Sequence, residues 1–382
     1  MRLPLALAAL LLATAPALAG CNLSAPDAVK AGPGCARAWM DANLRLNDIL
    51  TVGTHNSYKQ AIDPKIMKLI ASNSQQTAQA LDYSHIPLDR QLDDGARALE
   101  LDVVYDPEGH LYSNPLGPRL MDVPLPDGYG EAMAEPGFKV LHAQDFDYLS
   151  SCLTLVECLT IIKTWSDAHP DHVPILITMN AKDDSPVSEG TQALKFDSAA
   201  FAALDAEIAS VFPPQDVVTP DDVRGDFATL RLAVLQHGWP TLGQSRGKVL
   251  FALDEDEPKI SFYRGAHKTP SGWMMFVNAP EDAPDAAYLT LNEALTDTAH
   301  ITNDVMLGYL VRTRADADTV EARKNDTARR DAALKSGAQY VSTDYMEPDP
   351  RFGPYEARLP VGAIAVCNPV RAAKKCAGIP VE

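Results

Sequence analysis

Short runs of β-branched and aliphatic residues recur along the chain, and stretches with the apolar spacing of helices often fall between them. Eight runs read as strands: Ile49–Thr54, Arg97–Tyr105, Lys139–His142, Pro174–Asn180, Lys248–Asp254, Met274–Asn278, Gly308–Thr313 and Gln339–Asp344. Helical spacing is clearest over Thr154–His169, Ser198–Val211 and Ala317–Ser336. The last of these stops at Gly337, a residue suited to the left-handed turn that ends a helix. Between the fifth and sixth runs the helical signal is weak. Eight strand–helix units predict an α/β fold of the (β/α)8 TIM-barrel type, although a doubly wound sheet gives the same alternation. A different pattern opens the chain. Arg2 precedes an apolar run from Leu3 to Leu18, and Ala17-Leu18-Ala19 has the small-residue form of a cleavage site. The expected organisation is therefore a signal peptide over residues 1–20, one barrel domain over 21–352, and a tail over 353–382 packed on the barrel.

Composition narrows the partners. Of 382 residues, 46% are hydrophobic and 22% charged, which is globular chemistry and excludes intrinsic disorder. There are 33 Lys and Arg against 51 Asp and Glu, a net charge of −18. Such a field repels phosphate backbones, so no nucleic-acid partner is expected. It also repels anionic membranes unless a divalent cation bridges the contact. No later apolar run approaches the ~20 residues that span a bilayer, so no transmembrane segment is expected. The six cysteines fall into close pairs: Cys21 with Cys35, Cys152 with Cys158, and Cys367 with Cys376. An even count in an exported chain predicts three local disulfides and a soluble protein, secreted or periplasmic in a bacterium. The alternative is a lipoprotein, because Leu18-Ala19-Gly20-Cys21 has the form of a lipobox that would anchor the chain at Cys21 and leave Cys35 unpaired.

The polar residues fall where a barrel puts its chemistry, at the carboxyl ends of the strands. The first strand runs into Gly53-Thr54-His55-Asn56-Ser57-Tyr58, the third into His142, the fourth into Asn180-Ala181-Lys182-Asp183, the seventh into Arg312-Thr313-Arg314 and the eighth into Thr343-Asp344-Tyr345. Glu100 and Asp102 lie two apart on the second strand and so share a face. Two carboxylates that close favour a cation between them, and all-oxygen donors suit Ca²⁺ or Mg²⁺. The competing reading is a solvated pair on an edge strand. Two imidazoles across one mouth, His55 and His142, can act as general base and acid or hold phosphorane charge. Lys182 shares parity with Asn180 and can face inward to neutralise phosphate, or lie exposed. The remaining histidines, among them His85 and His300, read as ordinary core or surface residues.

This constellation of T-H-N-S-Y, E-L-D and a strand-end histidine resembles the phosphatidylinositol-specific phospholipase C superfamily, and within it the calcium-dependent bacterial and fungal branch. The resemblance covers most of the mature chain, and its matching segments are Leu46–Tyr58, Val140–Leu159, Trp165–Thr178 and Val311–Tyr345. The resemblance implies a distorted TIM barrel that cleaves phosphatidylinositol or a related phosphodiester to diacylglycerol and a cyclic inositol phosphate. It implies His55 and His142 as catalytic residues and Ca²⁺ held by Asn56, Glu100 and Asp102. Asn180 occupies the position of a fourth ligand that is glutamate in the animal enzymes, which lowers the ligand charge by one; Asp183 could compensate. Lys182, Arg312 and Asp344 are the expected substrate-side residues, with Asp344 placed to orient His55. In the expected mechanism His55 stabilises the phosphorane and His142 protonates the leaving alkoxide, and the two roles could be exchanged. The expected partner is a phospholipid headgroup at a membrane surface, met by a monomer. A glycerophosphodiester phosphodiesterase shares the His, E-x-D, His logic but favours an H-R-G entry. A non-catalytic surface or carbohydrate-binding protein on a retained barrel is a further alternative.

Overall fold

The computed structural model describes residues 20–382 except Pro186, His237 and residues 266–268. The expected signal peptide thus lies almost wholly outside the described residues. Ten strands are present among them: β1 (Ile49–Thr54), β2 (Ala98–Val104), β3 (Lys139–Val140), β4 (Ile175–Ala181), β5 (Val249–Leu253), β6 (Met275–Val277), β7 (Tyr288–Thr290), β8 (Leu310–Arg314), β9 (Tyr340–Thr343) and β10 (Ala365–Cys367). They form two five-stranded sheets, ordered β10-β1-β9-β8-β7 and β3-β2-β4-β5-β6. Within the sheets every neighbouring pair is parallel except β2–β3 and β1–β10. The staves of the barrel are therefore β1, β2 and β4 to β9.

The two sheets meet at two seams. At one, Asn278 and Tyr288 form a single parallel bridge between β6 and β7. At the other, β1 and β2 share no ladder, but Arg97 N donates to Val52 O at 2.9 Å and Ser57 N to Glu100 O at 3.0 Å. Gly53 makes this seam possible, because a Cβ there would stand 2.0 Å from the Ala98 carbonyl oxygen. The barrel is distorted at these joins. Its staves are buried on both faces, and their near-continuous apolar runs reflect the helices that cover the outside. Helix Leu155–Ala168 starts where Thr154 accepts from Glu157 N, and helix Ser198–Val211 where Asp197 accepts from Ala199 N and Ala200 N. Two of the three clearest helical readings of the sequence are met to within a residue or two.

Two expectations need correction. The run Lys139–His142 is not a stave: only Lys139–Val140 is extended, it runs antiparallel to the end of β2, and β2 pairs directly with β4. The eighth stave is instead β7, a three-residue strand too short to stand out from its flanks. The helix read over Ala317–Ser336 is two helices, Val320–Lys324 and Ala328–Ser336. Asn325 takes a left-handed φ of 50° between them, and Asp326, just before the second, accepts from Ala328 N at 3.0 Å. Short polar side chains compete for backbone groups in this way and interrupt an otherwise helical pattern. Gly337 ends the second helix with φ 84°, as its position suggests.

The carboxyl-terminal segment is tied to the first half of β1. β10 pairs with it antiparallel, Ile49 opposite Cys367 and Thr51 opposite Ala365. Disulfides join Cys21–Cys35, Cys152–Cys158 and Cys367–Cys376, and no cysteine is free. Among the described residues no helix is long and apolar enough to cross a membrane.

Candidate active site

The loop after β1 is fastened to β2 by its serine. Ser57 N donates to Glu100 O, and Ser57 Oγ accepts from Glu100 N at 2.8 Å. Asn56, one residue earlier, takes φ 47°, a conformation asparagine tolerates better than most side chains. Its Nδ2 donates to the Tyr83 hydroxyl at 2.8 Å, which leaves the amide oxygen with no hydrogen-bond partner among the described residues.

His55 lies at the centre of this end of the barrel. Its Nδ1 is 2.8 Å from Asp344 Oδ1 at the end of β9. Its Nε2 is 3.4 Å from Arg314 Nη1 on β8. A guanidinium can only donate, so this geometry assigns the Nε2 lone pair as acceptor and the proton to Nδ1, which donates to Asp344. Burial first, and then the Arg314 charge, holds the His55 pKa well below the ordinary histidine value. Asp344 is held on its other oxygen by Arg314 Nη2 at 3.0 Å. Behind it Asp316 accepts from the Asp344 amide at 2.8 Å, and burial together with the Asp344 charge pushes Asp316 up to about 7.

His142 has its own carboxylate. Ala143 and Asp147 close a tight turn through paired backbone bonds, Ala143 N to Asp147 O at 3.1 Å and Asp147 N to Ala143 O at 2.9 Å. This turn brings Asp147 Oδ2 to 2.7 Å from His142 Nδ1. The ammonium of Lys59, wholly buried, sits 3.2 Å from the same Asp147 oxygen. The Cys152–Cys158 disulfide ties the far end of this loop to helix Leu155–Ala168. The two histidines thus form two His–Asp pairs at one mouth, near enough for the His142 charge to lower the His55 pKa further.

Glu100 and Asp102 face inward from β2 at 4% and 0% exposure, which overturns the reading of a solvated edge pair. The register sets Asp102 beside Asn180. Asn180 Nδ2 donates to Glu100 Oε1 at 2.9 Å, a bond that a glutamate at this position could not make while ionised. Arg312, on β8, pairs with the other Glu100 oxygen and lies at 3% exposure beneath the mouth. Lys182 Nζ is 3.1 Å from Asp102 Oδ2, and Asp102 raises the Lys182 pKa. Among the described residues Asp102 Oδ1 has no hydrogen-bond donor, and Oδ2 meets only the Lys182 ammonium. A buried carboxylate left short of donors is a place for a cation, and Asn56, Glu100, Asp102 and Asn180 offer only hard oxygen ligands, as Ca²⁺ prefers. The residues fit that ion. Asp183 instead lies 3.1 Å from Lys259 Nζ.

Sequence reading brings together His55, Asn56, Glu100, Asp102, Asn180, Lys182, Arg312, Asp344 and His142, and it misses four neighbours. Asp147 lies five residues after His142, and that spacing within one loop was its signal. Arg314 shares strand parity with Arg312, so its inward direction was readable. Tyr83 and His85 carried no signal. Tyr83 holds Asn56, and His85 Nε2 donates to the His55 carbonyl at 2.8 Å.

Two surfaces flank this mouth. On one side Asp183, Asp184 and the run from Asp254 to Glu257 line a cavity of about 520 Å³. On the other, Leu69, Ile70, Leu116, Leu120, Ala143 and Phe146 line an apolar groove of about 650 Å³.

No curated protein matches the chain. Among solved structures, a calcium-dependent phosphoinositol-specific phospholipase C from a Gram-negative bacterium, Pseudomonas sp., aligns in an apo crystal form with a TM-score of 0.52, 19% identity, and coverage of 85% of this chain and 96% of that one. A form of the same enzyme described with myo-inositol aligns with a TM-score of 0.50, 19% identity and the same coverage. At this identity the likeness speaks to the fold, which is the distorted TIM barrel. The family model for phosphoinositide phospholipase C, Ca²⁺-dependent, matches residues 44–369. The chain belongs to the Ca²⁺-dependent phosphoinositide phospholipase C family.

Proposed function

We propose that the protein cleaves phosphatidylinositol at a membrane surface to diacylglycerol and a cyclic inositol phosphate, with His55 as base and His142 as acid. The observation that carries this reading is the pair of His–Asp units set at one mouth over Glu100 and Asp102. Bound Ca²⁺, held by Asn56, Glu100, Asp102 and Asn180, would supply a Lewis acid for a phosphate oxygen and an inositol hydroxyl. Neutral His55, its Nδ1 proton on Asp344, offers Nε2 to take the proton of that hydroxyl. The hydroxyl attacks the phosphorus of its own headgroup, so the nucleophile comes at high effective concentration. Asp147 fixes the ring of His142 through Nδ1, and His142 delivers a proton to the departing glycerol oxygen. Arg314 and Lys182 supply positive charge against the phosphorane. The lowered His55 pKa keeps the imidazole neutral and so favours the base role over the phosphorane-binding role expected from the sequence, with Nε2 exchanging its long 3.4 Å contact to Arg314 for the hydroxyl proton.

The apolar groove beginning at Ala143, next to His142, suits the acyl end of a lipid substrate. The three disulfides support an exported, secreted or periplasmic protein, and the Cys21–Cys35 link supports the soluble form over the lipoprotein. We place one catalytic barrel over residues 21–352, with the 353–382 tail as its appendage, acting as a monomer. Assay of the purified protein on phosphatidylinositol and on glycerophosphoinositol, with and without chelator, tests the function. Cleavage of the lipid that stops in chelator is expected. Preference for the deacylated substrate would favour the glycerophosphodiester reading, and no turnover of either would favour a non-catalytic barrel.

A further inference from the structure

On the opposite end of the molecule a histidine and two carboxylates converge. His300 and Asp304 lie four residues apart on helix Ala294–Leu307, so they share one face. Glu281 approaches from the loop between β6 and β7, where Tyr309 Oη and Arg231 Nε both donate to its main-chain carbonyl, at 2.7 and 2.6 Å. His300 Nε2 is 2.7 Å from Glu281 Oε1 and 3.2 Å from Asp304 Oδ2. All three ligand atoms lie within 4.8 Å of one another.

The proton count at this cluster does not close. Nε2 carries at most one hydrogen, and the shorter contact gives it to Glu281. Asp304 Oδ1 receives a bond from Asn303 at 3.4 Å, but Oδ2 is buried, faces the imidazole and has no hydrogen-bond partner among the described residues. The Asp304 side chain is 3% exposed, and among the described residues no Lys or Arg comes within ion-pair distance of Asp304 or Glu281. A divalent cation in place of the single proton would satisfy Nε2 and both carboxylates at once.

We propose that Glu281, His300 and Asp304 form a transition-metal site of the zinc class, separate from the calcium site. One imidazole nitrogen with two carboxylate oxygens suits Zn²⁺, whereas Ca²⁺ takes oxygen ligands alone. Glu281 and His300 are 41% and 49% exposed, so water can complete the coordination and the ion has a way in. The site sits near the start of β8, away from the catalytic mouth, where a bound ion would fasten the β6–β7 loop to the helix.

The test uses full-length chelator-treated protein returned to saturating Ca²⁺ and then given Zn²⁺ alone. Calorimetry, elemental analysis after gel filtration and melting temperature are read for wild type, Asp304→Asn, Glu281→Gln and the control Asp297→Asn on the same helix. Wild type and control should each bind one Zn²⁺ more than the two ligand variants, with affinity in those variants lowered more than ~10-fold. Zinc should raise the melting temperature only in wild type and control, and calcium-dependent activity should be equal in all four. Glu281→Gln, in an exposed loop, keeps the test alive should Asp304→Asn fold poorly. Equal zinc binding in wild type and a folded ligand variant, including zinc held at the catalytic mouth in both, would overturn the proposal.

Discussion

Lys182 extends its ammonium to within 3.1 Å of Asp102 Oδ2, so a residue of the chain itself already meets the carboxylate that calcium would need. Arg312 does the same for Glu100. The two charges of the ligand set are thus matched by two cations, and calcium binding must loosen at least one pair. Lys182 is the movable one, at 39% side-chain exposure against 3% for Arg312. Lys182→Met should tighten Ca²⁺ binding on the order of 10-fold, about 1.4 kcal/mol, as read by calorimetry without substrate. The same change should raise KM if the ammonium also serves phosphate. Unchanged or weaker calcium binding would show that Lys182 does not compete.

The fold was legible where hydrophobic runs were long enough to dominate their surroundings. β1, β2, β4, β5, β8 and β9 lie at or within a residue or two of their expected bounds. β7 was hidden because three residues carry too little pattern, and the helix Ala294–Leu307 because Thr296, Thr298, His300 and Asn303 break its apolar stripe. The site was legible through strand parity, which put Glu100 with Asp102 correctly inward. What parity could not give was pairing between distant segments. Nothing local to Lys182 announces Asp102, and Tyr83 reaches Asn56 only through the packing of a loop.

A second prediction concerns His55. Its pKa is depressed by burial and then by the Arg314 charge. A base must be neutral, so activity is lost only as pH falls through this depressed value. The acid limb of kcat/KM should therefore lie well below 6.5, and Arg314→Met should move it upward. Because burial remains, the limb should stop short of the ordinary histidine value. An acid limb that Arg314→Met leaves in place would remove His55 from the base role.

A third concerns stability. Burial raises Asp205 from 3.8 to about 7, although the Tyr263 hydroxyl and Met274 N both donate to it. Between those pH values the folded chain holds a proton that the unfolded chain has released, so this residue's contribution to stability falls as pH rises. Asp205→Asn lacks that slope. Its melting temperature relative to wild type should improve steadily from pH 4 to pH 7, a window set by the Asp205 values of 3.8 and about 7. A constant difference across that window would show that Asp205 ionises normally.

The last prediction separates the two histidines by what they do. The leaving glycerol alkoxide has a conjugate acid far weaker than water-soluble buffers at neutral pH, so it departs only with a proton. Losing the donor costs ~10²–10⁴ in rate. His142→Ala should show that loss in kcat on phosphatidylinositol, but much less on an inositol phosphate ester of nitrophenol, whose leaving group needs no proton. Asp147→Asn keeps the imidazole yet removes the charge that orients Nδ1 at 2.7 Å. It should follow the same pattern at smaller magnitude, a kcat loss on phosphatidylinositol that shrinks on the nitrophenol ester, because the ring is less well aimed at the leaving oxygen. His55→Ala should harm both substrates alike, because the attacking hydroxyl must lose its proton whichever group leaves. Equal losses for His142→Ala on both esters would take the acid role from His142, and wild-type kcat on both esters for Asp147→Asn would reduce Asp147 to a structural partner of Lys59.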